Sequence, residues 1–329
     1  ASSEAPASSE APAQAAALDG DGILVGSCIY KFDDTFMTGV RTNMQTEADA
    51  LGATLEIVDS QNKQPTQNDQ VDTYITKGVN ALAVNPVDRT AAGPIVEKAK
   101  AEGLPIVFLN REPEADIMQS YEQVWYVGAK AEESGTMSGQ IIADYFTANP
   151  DADKNGDGKV ATLEFEGEIN NPEAIARTEY SLSTAIEKGV PCEMMTENQV
   201  ANWDTAKAQE MMTAQIASLG VENIEVVFCN NDDMAIGVIA ALNEVGYNLG
   251  DGGDEVIVIG VDCTDTAVEY INAGKLYGTV KQDGDAMGKA NILMAINGAL
   301  GKDWLDGTDY TMADDGYSIR IPYAKITAE

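Results

Sequence analysis

The sequence predicts an α/β protein built from two halves, each with a parallel sheet at its core. Short apolar segments alternate with segments of helical periodicity from residue 19 onward, and this alternation is typical of βαβ units. The pattern restarts near residue 129, and a chain of 329 residues has room for two domains of ordinary size.

The first half begins with an apolar segment, residues 23–29, which leads into the polar and aromatic sequence KFDDTF. Four further apolar segments are typical of buried strands: 54–58, 81–84, 105–109 and 125–128. Three segments between them have helical periodicity: 35–51, 67–77 and 90–101. Gly103 follows the last of these, as glycine often does where a helix ends.

The second half continues the alternation and closes with an apolar segment near the end of the chain. Its predicted strands are 160–165, 224–229, 256–261, 276–281 and 317–323. Its predicted helices are 132–145, 171–188, 205–219, 232–245, 264–273 and 285–300. Strands that alternate with helices in this way form a parallel sheet.

The composition of the chain excludes several classes of function. With 54 acidic against 20 basic residues the net charge is -34, which opposes binding to nucleic acid or to an anionic lipid surface. The absence of histidine excludes histidine-based triads, general bases and metal sites. No run approaches 18 apolar residues, so the sequence predicts no membrane-spanning helix.

The four cysteines have none of the spacings of zinc or redox motifs. Cys28, Cys229 and Cys263 lie at or beside apolar segments, whereas Cys192 does not. We therefore expect buried free thiols, with a Cys229–Cys263 disulfide as the alternative.

Residues 1–18 are small and polar and open with a tandem ASSEAP repeat. Such a composition cannot bury a core, so we expect a disordered low-complexity leader. No charged and apolar signal peptide is visible, which fits a processed chain whose leader tethers the folded part to a cell surface. An ordinary linker, or a segment added for expression, would have a similar composition.

Four short polar residues stand at, or just beyond, the carboxyl ends of predicted strands: Asp34, Asn110, Asn231 and Asp262. Each residue alone is typical of a turn or a helix cap. Ligands of open parallel sheets bind at these strand ends, so the repetition in both halves favours a shared cleft. Carboxylates accept hydrogen bonds from hydroxyl groups and amides donate and accept, which suits a neutral polyhydroxylated ligand.

Two aromatic residues and one arginine add to the predicted cleft. Phe36 follows the first strand, and Trp203 lies in a loop just before a predicted helix. Flat rings suit the apolar C–H faces of a pyranose, although core or surface positions are the simpler interpretation. Arg177 lies four residues after Glu173 on one helix face, where it can bind sugar hydroxyls or form an ordinary surface salt bridge.

The acidic loop at residues 153–158 has the pattern of a calcium-binding loop, with alternating oxygen-bearing side chains and glycine at the sixth position. Glu164 falls at the twelfth position, but residues 160–165 alternate like a strand. A strand rises about 3.3 Å per residue and would carry Glu164 away from the ion. We therefore expect the bidentate carboxylate to come from elsewhere in the chain; an acidic loop without metal is the alternative.

Taken together, these stretches resemble the bacterial periplasmic galactose/glucose-binding protein family. The resemblance covers nearly the whole chain after the leader and rests on residues 30–37, 60–62, 67–70, 108–113, 125–128, 176–178, 203–206, 230–232, 260–262, 278–280 and 320–323. It implies a type I periplasmic binding protein fold, with two Rossmann-like domains joined by a three-segment hinge near Ala129, Gln282 and Arg320. The implied lobes are residues 19–129 plus 283–319, and residues 130–282 plus 320–329.

The resemblance also implies roles for individual residues. The implied hydrogen-bonding partners of the sugar are Asp34, Asn110, Arg177, Asn231 and Asp262, and the implied stacking rings are Phe36 and Trp203. A structural Ca²⁺ ion would be bound by Asp153, Asn155, Asp157, the carbonyl of Lys159 and the remote bidentate acid Glu225.

Four positions depart from the family pattern. In the sugar site, Asn171 stands where the family has histidine, Glu173 where it has aspartate, and Gln282 where it has asparagine. These three keep hydrogen-bonding capacity but change its reach, so the sugar, its anomer and the affinity stay open. In the calcium loop, Ala161 stands where the family has glutamine, so water would fill that ligand position.

The sequence therefore predicts a receptor rather than an enzyme, which closes on D-galactose or D-glucose and delivers it to the membrane permease of an ABC transporter. Another hexose, a pentose, or a sensory role with a chemoreceptor or sensor kinase are the alternatives. We expect a monomer outside the cytoplasm, either periplasmic or lipid-anchored through the leader.

Two other classes of protein fit the sequence less well. A sugar-binding repressor would need a basic DNA-binding head, but residues 1–18 contain no Lys or Arg. A nucleotide-dependent enzyme would need a glycine-rich turn after the first strand, where this chain has the acidic sequence KFDD.

Overall fold

The computed structural model describes residues 20–328 and consists of two α/β lobes, each built on one sheet. This architecture confirms the predicted fold class. The predicted leader, residues 1–18, lies outside the described residues. Between residues 20 and 328 no helix is long and apolar enough to cross a bilayer.

The first lobe contains a six-stranded sheet. Its strands are β1 (Leu24–Ile29), β2 (Thr54–Asp59), β3 (Ala81–Val84), β4 (Ile106–Leu109), β5 (Val124–Gly128) and β12 (Ser318–Arg320). They lie in the order β12-β5-β4-β3-β1-β2, and all neighbouring pairs are parallel. The helices of this lobe are α1 (Thr35–Leu51), α2 (Gln64–Lys77), α3 (Gly93–Ala101), the single turn α4 (Ala115–Met118) and α10 (Gly284–Ala299).

The second lobe contains a seven-stranded sheet. Its strands are β6 (Val160–Glu166), β7 (Cys192–Met194), β8 (Gln199–Val200), β9 (Val226–Cys229), β10 (Ile257–Asp262), β11 (Gly278–Lys281) and β13 (Ala324–Thr327). Their order is β13-β11-β10-β9-β6-β7, with β8 also paired to β6, and only β13 runs antiparallel among the described strands. The helices are α5 (Ala131–Ala148), α6 (Pro172–Glu187), α7 (Thr205–Leu219), α8 (Asp232–Glu244) and α9 (Asp265–Asn272).

Helices cover both faces of each sheet, so the central strands are buried on both sides. In the first lobe, α1 and α10 pack on one face and α2 and α3 on the other. In the second lobe, α5 and α6 pack on one face and α7 and α8 on the other. Burial on both faces explains why β3 and β4 are continuous apolar runs rather than alternating ones.

The prediction of one strand at 317–323 is wrong. Within it only β12 forms a strand, in the first sheet; β13 begins just after it, at residue 324, and belongs to the second sheet, so the chain passes from one lobe to the other between them. Pro322 lies in the connection, and proline has no N–H with which to continue a ladder. The predicted helix at 90–101 also begins later, because Arg89–Ala91 forms a short 3₁₀ turn before α3.

Close contact between α7 and α8 depends on Gly237. A Cβ atom at this position would lie 2.1 Å from the carbonyl oxygen of Thr205. By contrast, a Cβ atom at Gly39, also within a helix, would have no described heavy atom within 4 Å apart from the backbone of its own helix and its chain neighbours. Alanine substitutions at these two glycines therefore differ in steric overlap but share the same gain in helix propensity.

We predict that Gly237→Ala lowers the free energy of unfolding by about 1–3 kcal/mol, because α7 must move to relieve the overlap. Gly39→Ala should be neutral or stabilising by up to about 1 kcal/mol, because alanine is the better helix former. Urea unfolding followed by circular dichroism measures both. Equal stabilities of the two variants would contradict the close packing of α7 against α8.

Candidate functional site

A cleft between the lobes brings together all the residues predicted to contact ligand. Its unfilled space, about 420 Å³, includes solvent at the open mouth of the cleft. The predicted residues that line it are Asp34, Phe36, Asn110, Asn171, Glu173, Arg177, Trp203, Asn231, Asp262 and Gln282. Tyr30 and Arg111 line it as well, and neither is among the predicted site residues.

The carboxyl ends of both sheets deliver these side chains. In the first lobe Asp34 and Phe36 follow β1, and Asn110 follows β4. In the second lobe Asn231 follows β9, Asp262 is the last residue of β10, and Gln282 follows β11. Because the two lobes present their strand ends to one another, a ligand in the cleft contacts both lobes.

Three of the site residues also cap helices. Asp34 and Asn231 each accept a hydrogen bond from the backbone N–H three residues further on, at 2.8 and 3.0 Å. Asn171 accepts from the N–H groups two and three residues further on, at 2.9 and 3.2 Å. Capping and cleft lining are therefore compatible roles here, and the cap fixes the orientation of each side chain.

Trp203 is held at the cleft by an unusual backbone and by a glycine. Asn202 and Trp203 have φ values of 56° and 62°, in the left-handed region that few non-glycine residues adopt. The indole ring packs over Gly167, where a Cβ atom would lie 2.2 Å from the ring. The ring also packs against the hydrophobic core of the second lobe. Its position is therefore fixed both by its own loop and by this core.

Arg177 is a buried cation at the base of the cleft, with 5% of its surface exposed. Its Nη1 donates to the carbonyl of Asn230 at 2.7 Å, and its Nη2 donates to Gln282 Oε1 at 2.9 Å and to the Tyr323 hydroxyl at 3.2 Å. Asp262 Oδ1 lies 3.9 Å from Nη1. Burial opposes the charge, but Tyr323 and Asp262 outweigh it and raise the pKa of the guanidinium.

One donor of Arg177 is left over. Within residues 20–328, its Nε is buried and has no hydrogen-bond partner. A buried donor without a partner is costly, so this atom is a ready contact for an acceptor on a ligand.

Two acidic residues of the cleft are shifted toward their neutral form. Burial raises the pKa of Asp262 well above its ordinary value, and the nearby Arg177 only partly opposes this. Burial likewise raises the pKa of Glu173. Asp262 also has a left-handed φ of 123°, and Cys263 follows with 64°, so the turn after β10 is sharp.

An ion pair joins the two lobes at the edge of the cleft. Arg111, which follows β4, places its Nη2 3.0 Å from Glu168 Oε1, which follows β6. The Arg111 guanidinium carbon lies 3.8 Å from the ring centroid of Tyr30, whose hydroxyl donates to Asp34. Glu168 in turn accepts from Asn171 Nδ2 at 3.2 Å. Burial opposes the charge of Glu168, but Arg111 outweighs it and lowers the pKa.

The acidic loop is closed by its own backbone. Side-chain oxygens of Asp153, Asn155 and Asp157 accept hydrogen bonds from loop N–H groups at 2.7–2.9 Å. The buried carboxylate of Glu225 accepts from the N–H of Lys154 at 2.6 Å and from that of Ala161 at 2.7 Å. In the described part of the chain, no three acidic or cysteine side chains are grouped as a metal site. Calcium binding stays a prediction.

Glu164 lies away from the acidic loop, as the strand pattern predicts. It belongs to β6, is 2% exposed, and contacts Asn230 and Ser181 rather than the loop.

All four cysteines are unpaired, which agrees with the predicted free thiols and not with the alternative Cys229–Cys263 disulfide. Cys28 and Cys229 are buried as predicted, whereas Cys263 is half-buried.

The fold and the cleft define a two-lobed solute-binding protein. A family model described as a periplasmic binding protein domain matches residues 25–303, and the chain belongs to this family. The D-galactose/methyl-galactoside binding periplasmic protein of Haemophilus influenzae is 39% identical over 303 residues, which cover 92% of this chain and 88% of that protein. The ribose import binding protein of Bacillus subtilis is 30% identical, covering 80% and 78% of the two chains.

A solved structure has the same architecture. The ABC transporter solute binding protein of Bacillus halodurans with bound myo-inositol superposes with a TM-score of 0.76 at 28% identity, covering 94% of this chain and 96% of that one. These findings confirm the resemblance and the prediction that the chain is not an enzyme. Membership of the family implies a location outside the cytoplasm, whereas the lipid anchor stays a prediction about residues outside those described.

Behind the cleft, Asp232 supports the turn that carries Asp262. Its carboxyl accepts from the Thr279 hydroxyl at 2.6 Å and from the Thr264 N–H at 2.8 Å. Burial raises the pKa of Asp232 from 3.8 to about 7. Between about pH 4 and pH 7 the folded protein holds a proton that the unfolded chain has released, so this carboxyl makes the free energy of unfolding fall as the pH rises.

We predict that Asp232→Asn raises the free energy of unfolding by roughly 2–4 kcal/mol at pH 8, because the amide carries no buried charge. The difference from the unsubstituted protein should shrink as the pH is lowered to 5, where the carboxyl is neutral. Urea unfolding at four pH values measures this, with the exposed Asp265→Asn as the matched control. A constant difference at all pH values would contradict the raised pKa.

Proposed function

We propose that this protein binds a neutral monosaccharide, D-galactose or D-glucose, in the cleft between its lobes and delivers it to the permease of an ABC transporter. The observation that carries the proposal is that Phe36 from the first lobe and Trp203 from the second line one cleft, together with amides, carboxyls and a buried arginine. A pyranose has two apolar faces and a polar edge. The two aromatic rings suit its faces, and the amides, carboxyls and arginine suit its edge.

The charges of the cleft favour a neutral ligand. The carboxyl groups of Asp34, Glu173 and Asp262 line it together with the guanidinium groups of Arg111 and Arg177. Arg111 is already paired with Glu168, and Arg177 with acceptors of the protein. An anionic ligand would therefore face carboxyl groups without a free cation to balance it, whereas sugar hydroxyls can donate to these oxygens.

The choice of galactose or glucose rests on the relatives. The Haemophilus influenzae relative is named for D-galactose and methyl-galactoside, and the Bacillus halodurans structure contains myo-inositol. Asn171, Glu173 and Gln282 stand at the positions where this chain departs from the galactose/glucose pattern, and all three line the cleft. Another hexose, a pentose or a cyclic polyol is therefore the competing ligand.

Isothermal titration calorimetry against D-galactose, D-glucose, D-ribose, D-xylose and myo-inositol tests the proposal. Several hydrogen bonds to charged groups contribute roughly 1.5–3 kcal/mol each, which after ordering costs supports micromolar or tighter binding. D-Galactose or D-glucose should bind most tightly. Tightest binding of D-ribose or myo-inositol would contradict galactose or glucose as the ligand. No heat with any member of the panel would refute sugar binding.

We predict that Trp203→Ala weakens binding of the preferred sugar by roughly 100-fold or more, because it removes the apolar surface on which the ring stacks. Trp304, which stacks on Trp125 with ring centroids 4.7 Å apart, does not line the cleft and provides the control. Trp304→Ala should leave the affinity unchanged. Calorimetry gives the affinities, and far-ultraviolet circular dichroism shows whether each variant is folded; a folded Trp203→Ala protein with normal affinity would contradict the stacking role.

Binding is proposed to close the lobes around the sugar. The Arg111–Glu168 pair bridges the lobes beside the cleft, and a ligand that contacts both lobes favours the closed arrangement. A monomer that presents the closed lobes to a permease is the expected form of the receptor. A chemoreceptor or sensor kinase as an additional partner, and a lipid anchor through residues 1–18, remain part of this proposal.

We also propose a structural Ca²⁺ ion in the loop at residues 153–159. Oxygen-bearing side chains alternate along the loop, and the carboxylate of Glu225 reaches it from the residue before β9. Bound calcium would draw Asp153, Asn155, Asp157, the Lys159 carbonyl and Glu225 together and so tie the loop to the sheet. This role is stabilising and takes no part in sugar contact.

Removal of calcium with a chelator should lower the melting temperature by roughly 5–10 °C, because the ion binds only the folded protein. Adding Ca²⁺ back should restore it. Glu225→Gln is the control variant, and its melting temperature should not respond to calcium. Identical scanning calorimetry traces with chelator and with calcium would contradict the proposed metal site.

A further inference from the structure

A carboxyl group buried in the second lobe has no part in the proposed contacts with sugar. Glu164 lies in the middle of β6 and is 2% exposed. Its Oε1 accepts a hydrogen bond from Asn230 Nδ2 at 3.1 Å, and its Oε2 lies 3.3 Å from the Ser181 hydroxyl. Among residues 20–328, no lysine or arginine forms a salt bridge with it. A buried acid without a cation needs another explanation.

The contact with Ser181 indicates the state of the carboxyl. The Ser181 hydroxyl also lies 3.0 Å from the backbone carbonyl of Thr178, which can only accept. A hydroxyl has one proton, so Ser181 either donates to Glu164 Oε2, or donates to the Thr178 carbonyl and accepts from a protonated Glu164. Burial at 2% exposure without a partner cation favours the second arrangement, in which Glu164 is a neutral carboxylic acid.

Asn230 connects this acid to the cleft. Its Nδ2 donates to Glu164 and to Thr178 Oγ1 at 3.0 Å, and its Oδ1 accepts from the Gly167 N–H at 3.1 Å. The backbone carbonyl of the same residue accepts from Arg177 Nη1 at 2.7 Å. Asn230 is 1% exposed and precedes the site residue Asn231. Its position therefore determines where Arg177 and Asn231 lie.

We propose that Glu164 is a positioning residue of the ligand cleft: as a neutral carboxylic acid it holds Asn230 and, through Asn230, aligns Arg177 and Asn231. The inference rests on the proposed function and adds to it a residue that does not touch the ligand. Burial also raises the pKa of Glu164 well above its ordinary value. The titratable groups that interact electrostatically with it are Glu166 on the same strand, Cys192 of β7 and Cys229 of β9.

Two substitutions separate this role from simple packing. Glu164→Gln keeps an oxygen for Asn230 and offers an N–H to Ser181, so it reproduces the hydrogen bonds of the neutral acid. The affinity for the preferred sugar should stay within about threefold. Glu164→Leu fills similar volume without polar atoms and leaves Asn230 with one acceptor fewer, so the affinity should fall about tenfold or more.

Calorimetric titration with the preferred sugar measures the three affinities, and thermal unfolding measures the stabilities. Glu166→Gln, which removes a carboxylate from the same strand, is the matched control and should bind normally. A Glu164→Leu protein with reduced stability but unchanged affinity would show a structural role only and overturn the proposal. An equal loss in Glu164→Gln and Glu164→Leu would show that a charged carboxylate is needed, and would overturn it as well.

Carbon-13 NMR of the side-chain carboxyl provides a test that needs no ligand. The Glu164 resonance is assigned by its loss in Glu164→Gln and should have the chemical shift of a protonated acid at pH 7. The shift of an ionised carboxylate would overturn the inference, even if Glu164→Leu does not fold. Absence of heat with every sugar would refute the proposed function, whereas this spectrum decides the state of Glu164 separately.

Discussion

The guanidinium of Arg177 is a cation buried at the base of a cleft, and the segments around it are arranged to satisfy its donors. Its acceptors come from three separate parts of the chain: Asn230 after β9, Gln282 after β11, and Tyr323 in the connection between β12 and β13. A buried cation is tolerated only when such partners are in place. The position of the Arg177 side chain therefore depends on how these three connections are placed relative to one another.

This arrangement also explains how an acid-rich chain forms a site for a neutral ligand. The acids of the cleft are either engaged, as Asp34 is with its helix cap and with Tyr30, or shifted toward the neutral form by burial, as Asp262 is. The two arginines that line the cleft are partnered within the protein except for one buried N–H of Arg177. What the cleft offers is mainly hydrogen-bonding capacity and flat apolar surface, with little net charge to attract an ion.

Much of this site can be predicted from the sequence because parallel strands end at one edge of a sheet. Asp34, Asn110, Asn231 and Asp262 follow from that rule alone, and ring chemistry and helix spacing suggest Phe36, Trp203 and Arg177. The resemblance adds Asn171, Glu173 and Gln282. Tyr30 directly follows β1, and Arg111 and Glu168 each lie two residues after a strand, so the same rule could have placed all three at the cleft. The pairing of Arg111 with Glu168 could not be predicted, because contacts between lobes leave no local pattern in the sequence.

The error near the end of the chain has a similar cause. The segment at 317–323 has the apolar pattern of one strand, but only Ser318–Arg320 forms a strand, and the next strand begins at residue 324 in the sheet of the other lobe. Glu164 fits the twelfth position of a calcium loop by spacing, and the strand pattern of residues 160–165 correctly predicts that it lies away from the loop, although not that it contacts Asn230. In both places the local pattern indicates hydrophobicity but does not identify the long-range partner.

A crystal structure of the protein with D-galactose would decide whether this cleft is the sugar site. We expect a sugar ring between Phe36 and Trp203, with one of its oxygens within hydrogen-bond distance of Arg177 Nε. A sugar bound outside the cleft, or one in the cleft with Arg177 Nε turned to a protein acceptor instead, would contradict it.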